Sequence, residues 1–264
     1  MDIAGIKQGT KQLVKENILR AEREGRFNDE VLPPDYDAML PVTDDYEFIP
    51  KNLGFVLWSL FVRTVALLGA KPLVHIAFGG RVRGRQNLRG LKGAVLVCNH
   101  VHILDNMLVR HAVRGHRLYI TVAEFNSMKG ILGWILRGAG TLPFSHCFSA
   151  MKKMGAAITT LLKKGNFVLF YPEKALWPRY EKPRPFIEGA FHCAVVNDVP
   201  LVPVFIRWRE PSKLRRLFSK QKVAELHILE PLYIPADQAM PRKEKMQLYM
   251  EESFRLMSEC AAQD

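Results

Sequence analysis

The chain has 264 residues and carries 38 Lys+Arg against 26 Asp+Glu, a formal charge of +12. Apolar residues make up 48% and charged residues 24%, which excludes wholesale disorder and leaves ample chain for a buried core. Cys98, Cys147, Cys193 and Cys260 are far apart and form no CxxC pair, which argues against a disulfide framework or a thiolate zinc site and fits a reducing compartment. The start, MDIAGIKQGTKQL, has no positive-then-apolar pattern, so no cleaved secretion signal is expected. The surplus of positive charge calls for an anionic partner: nucleic acid, a phosphorylated metabolite or lipid headgroups.

Taken in chain order, residues 2–25 read as a helix with Ile3, Ile6, Leu13, Ile18 and Leu19 loosely on one face. Residues 31–50 carry Pro33, Pro34, Pro41 and Pro50 among acids and read as an extended connector. Charge is sharply partitioned here. Asp29 to Glu47 holds seven acids and no base, whereas Phe48 to Leu104 holds eight bases and no acid. Within the basic stretch, GFVLWSLFVRTVALLGA at 54–70 is the most apolar run. Crossing a bilayer takes roughly 20 apolar residues, and a central Arg63 would cost about 2.5 kcal/mol or more. The expected arrangement is therefore a helix lying in the membrane interface with Arg63 snorkelling; a buried core helix is the alternative.

Beyond Gly79-Gly80, strand and helix patterns alternate. Strands are expected at 94–98, 118–123, 166–171, 201–206 and 224–229, and helices near 104–114, 128–138, 148–164, 186–197 and 241–261. This predicts an α/β fold, a mixed, largely parallel central sheet covered by helices. The expected division is 1–79 as N-terminal helices, acidic connector and membrane-interface segment, and 80–264 as the α/β domain. The stretch 208–220, with Arg209, Lys213, Arg215, Arg216 and Lys220 against Glu210 alone, reads as a second membrane-facing patch or a solvated insertion.

Three stretches carry chemistry. NHVHILD, Asn99 to Asp105, follows a buried strand directly, and open α/β sheets gather reactive groups at the carboxyl ends of their strands. The five-residue spacing lets the Asp105 carboxylate bond the His100 imidazole, fix its tautomer and leave the other ring nitrogen to take a proton from a hydroxyl. His100, His102 and Asp105 also invite a metal reading, which no further ligand cluster supports. His102 reads as a packing or hydrogen-bonding residue. The second stretch is FVLFYPEKALW, 167–177; the third is PRPFIEGAFHCAVVNDVPLVPVFI, 183–206.

In this order and spacing, the stretches resemble the glycerolipid acyltransferase family of PlsC type. That family carries an NH-x4-D block, a G-x-x-F-I-x-R block, a strand ending F-P-E-G-T-R, and a later V-P-I-V-P-V strand. The similarity spans roughly 81–207, with the first and last blocks intact. It implies acyl transfer from a thioester, acyl-CoA or acyl carrier protein, to the hydroxyl of a lysophospholipid or related lipid alcohol, with His100 as general base oriented by Asp105. No other cofactor and no metal is implied. It also implies a peripheral position on the cytoplasmic face of a membrane with anionic lipids.

Two blocks depart from the family. E-G-T-R is EKAL here, keeping Glu173, with Lys174 in the glycine's place; His146 stands where the second block has Arg. Both missing arginines are the groups expected to grip an acceptor phosphate. Lys174, Arg179, Lys182 and Arg184 are the replacement cations the sequence offers, or else a solvated loop. Glu173 is expected to bind acceptor or to scaffold the motif loops, and Trp177 and Tyr180 to line a substrate path or to pack. Rival readings are an acyl hydrolase and a non-enzymatic basic lipid-binding protein. No nucleic-acid-binding signature is present.

Overall fold

The computed structural model describes residues 8–32, 36–217, 219–233 and 240–263. The strands are β1 (Arg81–Arg83), β2 (Ala94–Cys98), β3 (Leu118–Val122), β4 (Thr141–Pro143), β5 (Phe167–Phe170), β6 (Leu201–Arg209) and β7 (Val223–Ile228). They form one sheet in the order β1-β7-β6-β2-β5-β3-β4. From β6 to β4 all pairs are parallel; β7 lies antiparallel to β6, and β1 parallel to β7. The expected mixed, largely parallel sheet is present. All five expected strands are found, and the two three-residue strands at the edges, β1 and β4, were not expected.

The middle of the sheet explains why AVLVC forms a strand without alternation: β2 is buried on both faces. Val95 and Val97 pack with residues of α5 (Phe148–Lys163), α6 (Gly189–Asn197) and α8 (Arg242–Ala262). Leu96 and Cys98 face the opposite cluster, where α3 (Asp105–Ala112) contributes Leu108, Val109 and Ala112. This second layer fixes α3, and with it the residues at its start.

The two helices before residue 80 pack onto this body at two places, and the connector between them at a third. The first is α1 (Gln8–Arg23), the described part of the helix expected over 2–25. Its Val14 and Ala21 cluster with Val31, Ala175 and Trp177. The connector is more than a spacer: Met39 bridges to Met128, and Val42 and Phe48 are buried in the main core cluster. Pro33 and Pro34 lie outside the described residues.

The second place is α2 (Leu53–Pro72), which continues into a π-helical turn, Leu73–Ala77. The Asn52 side chain caps it, accepting from Phe55 N at 2.8 Å. Its buried face holds Phe55, Ser59 and Val62 and meets α4 (Gly130–Ala139), where Trp58 Nε1 donates to Trp134 O at 3.0 Å and Ser59 Oγ to Gly138 O at 2.8 Å. The other face leaves Leu57, Leu60, Phe61 and Leu68 exposed, beside Ile131 and Trp134 of α4. Leu53–Ile76 is long and apolar enough to cross a membrane by length and composition. Half-buried against one side only, α2 is no core helix.

Arg63 corrects the snorkelling expectation. Its guanidinium turns into the protein, with Nη1 donating to Leu118 O at 2.7 Å, Nε to Ser59 Oγ at 3.1 Å, and the cation 4.3 Å from the centre of the Tyr119 ring. Burial lowers its pKa to about 9, still charged at neutral pH. Gly140 makes room: a Cβ there would lie 1.8 Å from Arg63 Nη2, and its φ of +90° suits glycine. Arg63 docks the apolar helix to the sheet.

Candidate active site

The site is built at the carboxyl end of β2. Asn99 fastens that end to β6, donating from Nδ2 to Ile206 O and accepting from Ile206 N, both at 2.8 Å. The next residue, His100, is thereby held at the sheet's rim with its side chain 23% exposed.

His100 Nδ1 lies 3.0 Å from Asp105 Oδ2, and the same oxygen accepts from Val101 N at 2.8 Å and His102 N at 3.0 Å. Three donors converge on one oxygen of a fully buried carboxylate at the first residue of α3, where the helix dipole also favours negative charge. A carboxylate there requires Nδ1–H, so Nε2 carries the lone pair. Nε2 has no partner among the described residues. The imidazole can therefore accept a proton from a hydroxyl at that nitrogen and share the resulting charge with Asp105.

Tyr171, which sequence reasoning passed over, forms the other wall. Its ring stacks on His100 with centroids 4.1 Å apart and planes 21° apart. Its hydroxyl is buried without a partner among the described residues, as is Asp105 Oδ1. Burial, then the nearby Asp105, pushes the phenol well above its ordinary pKa. His102 points elsewhere: its Nδ1 accepts from Leu104 N at 3.0 Å and its ring meets Phe78 edge-on at 4.7 Å. It packs, as the sequence suggested.

Glu173 is fully buried and braces the loops. Its carboxylate accepts from His100 N at 3.2 Å and Arg184 N at 3.0 Å, and pairs with Arg184 Nη2 at 2.8 Å. Burial pushes its pKa up; Arg184 pulls the other way. Arg184 corrects a second expectation. It is not a cation free to meet a phosphate, being fully buried on Glu173, Phe27 O and Ala175 O. Trp177 is likewise buried, its N donating to His100 O at 3.0 Å and its ring stacked on Phe27.

On this loop Lys174 is exposed and Arg179 half-buried. Both adopt positive φ, +68° and +60°. Left-handed backbone at bulky residues stores strain, and such strain gathers at functional sites. Lys174 is exposed where the family has glycine. Arg179 donates its N to Val101 O at 2.9 Å and holds its guanidinium 5.2 Å over Trp208. His146 stands apart, fully exposed, with its ring 3.6 Å from Glu124 Oε2. It follows the edge strand β4, three strands from β2 and so about 14 Å along the sheet.

The structure also adds a strap that no motif announced. Asn28 Nδ2 donates to Glu173 O at 3.0 Å and Pro185 O at 2.9 Å, and Trp177 Nε1 donates to Asp29 O at 2.9 Å. Residues 27–31 thus close over the altered EKAL loop. Glu30 sits there, its pKa raised by burial and opposed by His100, Lys174 and Arg184. The only sequence signal was the acidic composition of the connector.

Residues 80–207 match the Acyltransferase family model. The 1-acyl-sn-glycerol-3-phosphate acyltransferase of Bacillus subtilis (strain 168) is 24% identical over 176 residues, 67% of this chain and 85% of that protein. The crystal structure of the 1-acyl-sn-glycerophosphate acyltransferase PlsC from Thermotoga maritima superposes with a TM-score of 0.54 at 19% identity, over 81% of this chain and 97% of that one. The matched segment is just under half of the chain; to these two acyltransferases the chain is similar in sequence at low identity and in fold.

Proposed function

We propose that the chain transfers a fatty acyl group from an acyl thioester, acyl-CoA or acyl carrier protein, to the hydroxyl of a lysophospholipid or related lipid alcohol. The observation that carries this is the His100–Asp105 contact at the carboxyl end of β2, inside the matched segment. His100 Nε2 takes the proton of the acceptor hydroxyl as its oxygen attacks the thioester carbonyl. The C–O bond forms, the C–S bond breaks, and the imidazolium returns its proton to the departing thiolate. Asp105 holds the ring and offsets its charge. A thioester already carries a good leaving group, so positioning and one base suffice without a covalent enzyme intermediate.

Lys174 and Arg179 are the cations that meet an anionic acceptor headgroup in place of the family's two arginines. Glu173 acts by holding the loops; His146, in the loop after β4, has its described contacts with Glu124. The exposed apolar residues of α2 and α4 support a peripheral seat on a membrane surface, where the acceptor resides. A panel of lysolipids incubated with labelled acyl-CoA and acyl carrier protein, with the lipids resolved, tests the reading. An acylated lipid product is expected; release of free fatty acid alone would make the chain a hydrolase.

A further inference from the structure

A recess of about 410 Å³ lies at the β1 edge of the sheet, away from His100. Arg81 and Arg83 of β1, Arg85 just after it, His75 of the π-helical turn, His111 in the last turn of α3 and Arg114 just beyond that helix line it. The α3 helix separates it from the catalytic pair, with Asp105 at its first turn and His111 at its last. Eight residues of helix put about 12 Å between those ends.

Among the described residues, no acid lines the recess. Arg83 is matched from behind by Glu225 at 2.9 Å, and Arg85 is spent on the last carbonyls of α3, His111 O at 3.0 Å and Ala112 O at 3.2 Å. Arg81 and Arg114 are exposed and have no carboxylate partner among the described residues. The positive field is felt locally. Burial, then Arg85, His75, Arg114 and Lys71, lowers the His111 pKa to about 4. Uncompensated cations in a concavity are an anion site by their electrostatics.

What surrounds the recess narrows the anion. His75 is followed by Ile76, which is 75% exposed, and preceded by α2 with exposed Leu67 and Leu68. A short helix, α7 (Lys213–Arg216), is tied to the same turn, Arg215 Nη2 donating to Ile76 O at 3.0 Å. It brings Leu214 and Leu217, 70% and 77% exposed. Cationic recess and apolar rim therefore meet at one turn, which suits an amphiphile carrying a phosphate and offers nothing to a nucleic acid.

We propose that this recess binds the phosphate of an anionic membrane lipid, at a site separate from the acceptor site, with the lipid chains lying along the exposed apolar residues of α2 and α7. The inference rests on the peripheral-membrane reading above. It gives the basic stretch 208–220 a place, on the rim of this site.

The test is binding of the full chain to phosphatidylcholine vesicles with and without phosphatidylglycerol, for wild type, for Arg81→Glu/Arg114→Glu and for the charge-matched control Lys163→Glu/Lys164→Glu at the end of α5. Polybasic contacts contribute about 1 kcal/mol per residue, so the recess variant is expected to lose roughly tenfold or more in affinity for the anionic vesicles. The control should lose about twofold or less, since its charges are screened at a distance. Both variants should bind neutral vesicles like wild type. Equal losses in the two variants, or none in either, would overturn the site. So would loss of coenzyme A binding in the recess variant with anionic vesicle binding intact, because the recess would then serve the donor. Wild type that ignores every vesicle would instead refute the membrane reading itself.

Discussion

Arg184 and Glu173 form an ion pair, 2.8 Å from Nη2 to Oε2, in which neither side chain has exposed surface. The pair joins the altered EKAL loop to the chain that follows it, and Glu173 passes the constraint on to His100 N. The guanidinium also accounts for the strap, since Nη1 donates to Phe27 O at 2.8 Å. A chain without the family's motif arginines has spent this one on its own architecture.

Breaking the pair from one side leaves a buried charge alone. Arg184→Met is expected to lower the unfolding free energy by about 3–5 kcal/mol, and adding Glu173→Gln to return part of that loss. Chemical denaturation of the two single variants and the double variant checks the coupling. Additive losses would mean that the two groups do not act as a pair.

Tyr171 is expected to matter to His100 through its ring and not through its hydroxyl. Tyr171→Phe keeps the stack and removes a buried unpaired group, so activity should stay within about threefold and stability should hold or rise. Tyr171→Ala removes the wall beside the imidazole and should cut turnover more than tenfold. That figure corresponds to about 1.4 kcal/mol of lost positioning. Steady-state rates of both variants at saturating donor decide it.

Arg63 makes the docking of α2 measurable. Arg63→Leu leaves Leu118 O and the Ser59 hydroxyl without their donor and should cost about 1–3 kcal/mol of stability in detergent-free buffer. Gly140→Ala should destabilise in the same direction through the Arg63 contact. An arginine that only snorkelled to a bilayer would leave stability in buffer unchanged.

Acid sensitivity follows from His111. Its pKa falls from 6.5 to about 4 in the fold, so the unfolded chain takes up the proton first as pH drops. The stability contributed by the neutral ring is fully present above about pH 6.5 and is lost progressively toward pH 4. Melting temperatures of wild type and His111→Phe across that window should show a shallower decline in the variant.

What the sequence discloses depends on how local the cause is. AVLVC is a strand because five apolar residues must be buried on both faces, and 94–98 matches β2 end to end. The His100–Asp105 contact is likewise local, closed by one strand-to-helix turn. RVR and TLP are too short and too polar or proline-bearing to signal edge strands, and they exist because β7 and β3 offer partners. The fates of Arg63 and Arg184 were hidden for a further reason. A long basic side chain beside an apolar run or in a proline-rich loop looks solvated until a partner 55 or 157 residues away supplies a carbonyl.

On the proposed mechanism, acyl transfer depends on His100 as the base, held by Asp105. The most direct measurement is the rate of lipid acylation by purified His100→Ala beside wild type, with the fold of both verified by circular dichroism and melting temperature. Acylation should be abolished in a variant whose spectrum and melting are those of wild type. Acylated lipid formed by folded His100→Ala at the wild-type rate would rule out His100 as the base.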